Sequence, residues 1–165
     1  MICMKRVLDV PQNAVTATKP VRGRFVIHEH HARRLHFDLR LEIGGTGRSW
    51  AVPKGPSMDP DDKRLAVAVP DHSLSYFKFE GQLAEGTYGA GEVRIWDSGK
   101  YETMADPQVQ YDNGKIVFTF LGKKVRGEFI LTRMSREPTN WLLIKRDDKF
   151  ADIDWQLKTV LESEK

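Results

Sequence analysis

From Leu35 to Ile43 apolar and polar side chains alternate without a break. Leu35, Phe37, Leu39, Leu41 and Ile43 fall on one side, and His36, Asp38, Arg40 and Glu42 on the other. Successive side chains of a strand point to opposite faces, so this run predicts a strand with one face in a core and the other polar. Shorter strand patterns recur at residues 24–28, 48–52, 64–69, 92–96, 115–121, 127–133 and 140–145. Gly44-Gly45 predicts a tight hairpin between the second and third runs, and Asp112-Asn113-Gly114 a turn before a later strand. Helical patterning is confined to residues 152–162, with Trp155, Val160 and Leu161 as its apolar contacts. Eight short strands with little helix predict a mainly β fold, a closed barrel or a sandwich.

Residues 1–23 carry Pro11, Pro20 and Gly23 with little periodicity and read as an N-terminal arm, followed by a single domain over residues 24–165. At 165 residues, 40% hydrophobic and 30% charged, the chain fits one globular unit that buries about 70% of its unfolded surface. One cysteine, Cys3, excludes an intrachain disulfide, and the apolar run near the N-terminus is too short for a signal peptide or membrane span. A reducing, cytoplasmic setting with no membrane is therefore expected. A net charge of +3 permits a polyanionic partner without demanding one. Residues 81–91 hold four glycines but lack the Gly-Lys-Ser/Thr ending of a phosphate loop and precede a strand, which points to turns.

The polar face of the long strand changes the picture. His36 and Asp38 stand about 6.6 Å apart by the strand rise, close enough for imidazole and carboxylate to meet on one ion, with Arg40 one step further. Arginine's planar fork matches phosphate oxygens, so a cation with a guanidinium beside it points to phosphoryl chemistry. A third ligand would come from His28, His30 or His31, with residues 29–34 read as a turn folding a ligand over the pair, and spacing leaves that choice open. Two imidazoles and a carboxylate suit Mn, Fe or Zn better than Ca and leave coordination positions for water and substrate. His72, in what reads as a loop after the strand at 64–69, is suited to proton transfer near neutral pH.

These residues with their spacing resemble the 3'-phosphoesterase module of DNA ligase D systems. His30-His31-Ala32-Arg33-Arg34-Leu35-His36-Phe37-Asp38-Leu39-Arg40-Leu41-Glu42 is similar to the signature of that family. The blocks Ser49 to Ser57, Lys63 to Val67, Asp71-His72, Phe79-Glu80-Gly81, Glu85 to Gly91 and Trp141 to Lys145 resemble its later motifs in order. The resemblance implies a small closed β-barrel with short flanking helices. It implies an enzyme that uses manganese and heals 3' ends of DNA or RNA-tipped DNA for non-homologous end joining. A phosphodiesterase step would remove a terminal ribonucleoside, and a phosphomonoesterase step the resulting 3' phosphate. By motif, His30, His36 and Asp38 would bind the metal, Arg40 and His72 would contact the scissile phosphate, and Lys54, Arg64 and Tyr76 would support the pocket. A stand-alone monomer is expected, with an ATP-dependent DNA ligase and a repair polymerase as partners in trans.

Some positions depart from the family. Pro70 stands where it usually has Glu, Thr18-Lys19-Pro20 replaces an arm element of opposite charge, and Phe37 replaces a common Tyr. Two other readings of the residues compete with end healing. One is a non-haem Fe(II) oxygenase built on His36, Asp38 and His72. The other is a DNA-end-binding barrel without catalysis, gripping backbone phosphates through its basic residues.

Overall fold

The computed structural model describes residues 19–86 and 89–163. Nine strands make one antiparallel sheet: β1 Val21–His31, β2 Leu35–Ile43, β3 Thr46–Val52, β4 Lys63–His72, β5 Gly81–Leu83, β6 Gly91–Thr103, β7 Lys115–Leu121, β8 Arg126–Arg133 and β9 Asn140–Lys145. Their order is β1-β2-β3-β4-β9-β8-β7-β6-β5, and a further pairing of β1 with β6 closes eight of them into a barrel. The ninth, β5, lies along the rim of β6. Closure removes the unpaired edges that an open sheet of this size would expose.

The alternation read in β2 has its expected consequence. Phe37, Leu39, Leu41 and Ile43 are buried in a core shared with Phe25, Trp50, Phe118, Phe129 and Trp141, whereas Leu35, beside the turn, is partly exposed. Gly44 and Gly45, at φ of 64° and 81°, make the tight β2–β3 turn. Each of the eight strand runs seen in the sequence becomes a barrel strand.

The ends differ more. β1 begins at Val21 and continues through His31, so residues 29–31 are strand and the turn shrinks to residues 32–34. The β1 backbone pairs on both sides, with β2 and β6, and that double ladder carries the strand on. Likewise β4 extends to His72, which pairs with Gly47 rather than standing in a loop. Of the arm at residues 1–23, positions 1–18 lie outside the described residues.

The helix expected over 152–162 forms only at Val160–Ser163, α2. The preceding backbone is tied to the barrel instead: Asp152 N–H donates to the Met58 carbonyl, the Trp96 indole to the Lys158 carbonyl, and the N–H groups of Val160 and Leu161 to the buried Glu29 carboxylate. Trp155, Leu157 and Val160 pack on the core, so this segment plugs the barrel. A second helix, α1 Pro107–Asn113, has Asp106 as its N-cap and Pro107 in its first turn, and Gly114 ends it in a left-handed conformation. What reads as a turn at residues 112–114 is that helix terminus. Among the described residues no helix is long and apolar enough to cross a membrane.

Candidate metal and phosphate site

The site grows from the β1–β2 hairpin. Its register sets His30 directly across from His36 and His28 across from Asp38, so the cross-strand spacing brings three ligand side chains into one cluster. The ligand atoms of His30, His36 and Asp38 lie within 4.8 Å of one another. Across β2 on the other side, Asp38 faces Ala51, whose small side chain leaves the carboxylate open to a pocket of about 820 Å³.

Backbone carbonyls fix both imidazoles. His30 Nε2 meets the Gly89 carbonyl at 2.5 Å, and His36 Nδ1 meets the Arg34 carbonyl at 3.1 Å. A carbonyl only accepts, so these nitrogens carry the ring protons. The bare lone pairs, on His30 Nδ1 and His36 Nε2, then point at the two Asp38 oxygens, each at 3.3 Å. Lone pairs facing a carboxylate repel unless a cation joins them, and carbonyl acceptors behind the rings are the usual outer shell of metal-bound histidine. This donor set fits a divalent transition ion, with one carboxylate and two imidazoles as ligands. Burial by itself would raise the Asp38 carboxyl, but its contacts with the His30 and His36 rings and the neighbouring Arg40 charge hold it well below its ordinary value.

Next to this cluster Arg40 is anchored on three sides. Its Nε donates to His28 Nδ1 at 3.2 Å, and its NH1 donates to Ser49 Oγ and to His72 Nδ1, both at 2.9 Å. NH2 remains, 3.7 Å from Asp38 Oδ2. A shift in the β3–β4 register between Gly47 and Ser49 carries His72 to the guanidinium. Tyr76, on the 3-10 turn Leu74–Lys78, lies with its ring 5.0 Å from the Arg40 guanidinium carbon and 4.5 Å from the His72 ring, and stacks on Phe79. Since Arg40 only donates, His72 holds its proton on Nε2. Burial, then the Arg40 charge, lowers the pKa of His72.

The structure thus brings together His30, His36, Asp38, Arg40, His72 and Tyr76, all lining one pocket. Lys54 is exposed and Arg64 pairs with Asp62 at 3.5 Å; neither belongs to that lining. His72 stands with Arg40 while His30 completes the ligand group, so the oxygenase-like set of His36, Asp38 and His72 is not the one assembled. Sequence reasoning missed His28 as the partner of Arg40, and also Ser49 and the Gly89 carbonyl. The one signal for His28 was its place on the same strand parity as His30.

Residues 28–133 match the family described as the DNA Ligase D 3'-phosphoesterase domain. The chain is 45% identical over 127 residues to the multifunctional non-homologous end joining protein LigD of Pseudomonas aeruginosa, covering 76% of this chain and 15% of that protein. It is 44% identical over 133 residues to the protein of the same name from Mycolicibacterium smegmatis, covering 76% of this chain and 17% of that one. The multifunctional non-homologous end joining DNA repair protein LigD of Mycobacterium tuberculosis is 39% identical over 161 residues, 92% of this chain and 20% of that protein. The chain therefore spans a fifth or less of the length of these relatives.

Proposed function

This chain belongs to the DNA ligase D 3'-phosphoesterase family, and from that premise we propose that it is a manganese-dependent hydrolase of nucleic-acid 3' ends. One observation carries the reading: a guanidinium held by three partners stands beside a two-imidazole, one-carboxylate cluster in the same pocket. His30, His36 and Asp38 hold the ion, which when bound supplies Lewis-acid polarisation of a phosphate oxygen.

Arg40 offers the NH2 group that stands 3.7 Å from Asp38 Oδ2 to phosphoryl oxygens and stabilises the charge that develops on them. His72 keeps its proton on Nε2 and donates a hydrogen bond from it to the phosphate or to the departing oxygen. Tyr76 holds the His72 ring and the guanidinium in place from one side. Lys54 and Arg64 stand outside the lining, so the supporting role proposed for them rests on the family motif. Pro70 lines the pocket where the family usually has Glu, and it supplies neither a carboxylate nor a backbone N–H, so the balance between the two steps shifts at this position.

The reactions are removal of a 3'-terminal ribonucleoside and of a 3' phosphate, leaving a 3' hydroxyl for a repair polymerase and an ATP-dependent ligase in bacterial end joining. The test incubates the protein and Mn with 5'-labelled duplexes ending in a 3' phosphate or a single 3' ribonucleotide. Conversion of the phosphate end to 3' hydroxyl is expected. Intact ends of both kinds with folded, metal-loaded protein would overturn the proposal.

A further inference from the structure

Two neighbouring arginines line the same pocket, and their side chains take no part in the chemistry described above. Arg33 and Arg34 form the tip of the β1–β2 hairpin, and both are exposed. Many arginines of this chain are paired: Arg22, Arg24, Arg48, Arg64, Arg94 and Arg146 each sit 2.7 to 3.8 Å from a carboxylate, and Arg126, Arg133 and Arg136, which have no such pair among the described residues, lie outside this pocket lining. Among the described residues no ion pair includes Arg33 or Arg34. Two unneutralised guanidinium groups side by side at the mouth of a pocket make a local positive field that the net charge of +3 does not reveal.

Their position relative to Arg40 gives the field a direction. Arg34, His36, Asp38 and Arg40 follow one another at two-residue intervals, with the ligand pair between the two arginines. Arg34 closes the turn, and from Leu35, where β2 begins, to Arg40 the strand runs about 16 Å at roughly 3.3 Å per residue. That is too far for both to hold one phosphate with their Cα atoms so placed, and well suited to separate phosphates on one strand. The lining contributed by β4 and β5, namely Val69, Pro70, His72 and Leu83, includes no arginine or lysine. A polyanion entering the pocket is therefore drawn along the hairpin side.

We infer that Arg33 and Arg34 form the track for the polynucleotide backbone behind the 3' end, gripping phosphates upstream of the one that Arg40 holds. The inference rests on the reading of the pocket as a 3'-end site and adds the direction from which the strand enters it. Contacts of this kind fix register and affinity without reading bases, so the track accepts any sequence.

The test measures binding of the full-length, Mn-loaded protein to a labelled single strand ending in a 3' hydroxyl, the product end, across a salt series. For the double variant Arg33→Ala/Arg34→Ala the slope of log affinity against log salt should flatten by about 1.4, since each lost contact to a single strand removes about 0.7. On a 3'-phosphate oligonucleotide KM should rise roughly tenfold at low salt, with kcat retained. The double variant Arg33→Lys/Arg34→Lys should keep the parent slope, because the charge is preserved. An unchanged slope in the alanine variant, a loss in kcat without a rise in KM, or equal losses in the lysine and alanine variants would overturn the track. If the parent protein releases phosphate and the alanine variant binds like it, this inference alone fails; if the parent leaves 3' phosphates intact, the end-healing reading fails.

Discussion

Arg40 Nε donates to His28 Nδ1 at 3.2 Å, and His28 Nε2 in turn meets the Phe79 carbonyl at 3.1 Å. The histidine is thereby fixed as a neutral acceptor in the first bond and a donor in the second. Burial and the adjacent Arg40 charge push its pKa down to about 4, consistent with an imidazole that stays uncharged beside a guanidinium. His28 is thus a positioning residue: it sets the angle at which Arg40 offers NH2.

Replacing it separates position from stability. His28→Leu leaves Arg40 Nε buried without an acceptor, at a cost of about 1–3 kcal/mol, and should lower kcat for phosphate release roughly tenfold or more, since 1.4 kcal/mol is tenfold in rate. His28→Gln offers an acceptor oxygen and a donor amide, and should recover a large part of the rate. Metal content should match the parent in both. Steady-state kinetics beside metal analysis check this, and equal rates in the leucine and glutamine variants would remove the positioning role.

Metal removal should stop turnover without unfolding the barrel. The ligand face of β2 is opposite the core face that carries Phe37, Leu39 and Leu41, so the core survives loss of the ion. Chelation should lower the unfolding free energy only by the binding contribution, about 2.7 kcal/mol for an ion at 100 times its dissociation constant. Asp38→Asn should weaken metal binding more than about 100-fold, above the 10–100-fold typical of outer-shell changes. Calorimetry with and without Mn reads both effects.

The acid side of the rate profile should belong to His72. Its pKa is lowered in the folded protein, by burial first and then by Arg40, so the unfolded chain takes up the proton at a higher pH than the folded one. Stability from the neutral ring is therefore complete above the ordinary histidine value of about 6.5 and is lost as pH falls from there through the folded value. His28 acts in the same direction. Activity should hold below pH 6.5 and then decline as His72 gains a proton and ceases to accept from Arg40. In His72→Gln the residual activity should lack that limb below pH 6.5, measured with metal saturating at each pH.

Gly55→Ala tests the barrel plug. Gly55 adopts φ +74°, and a β-carbon there would collide with Leu157 and stand 2.9 Å from Phe37. Strained backbone and overpacking together should destabilise the fold by about 1–3 kcal/mol. Urea denaturation is the measurement, and a shift below 0.5 kcal/mol would show that the C-terminal segment packs more loosely than described.

How far the sequence reaches is clear from particular residues. Local alternation is a property of the chain alone, and it was enough to put His36, Asp38 and Arg40 on one face and Phe37, Leu39 and Leu41 in the core. The helix α1 was also written locally, in Asp106-Pro107 and Gly114, although Asn113-Gly114 reads equally well as a simple turn. The helix expected over 152–162 failed because its backbone groups find partners on Met58, Trp96 and Glu29, far along the chain.

What the sequence by itself determined is therefore a β fold with His36, Asp38 and Arg40 on the polar face of its second strand, because side-chain period along a strand needs no other element. Which histidine joins His36 and Asp38, which one braces Arg40, and how His72 reaches the guanidinium were decided by the tertiary structure. Those outcomes follow from the register of β1 against β2 and the shift between β3 and β4, set by a three-residue turn and an irregular pairing. One step of slip along β1 would exchange its faces, withdrawing both His28 and His30 from the site and pulling Phe25 and Ile27 out of the shared core.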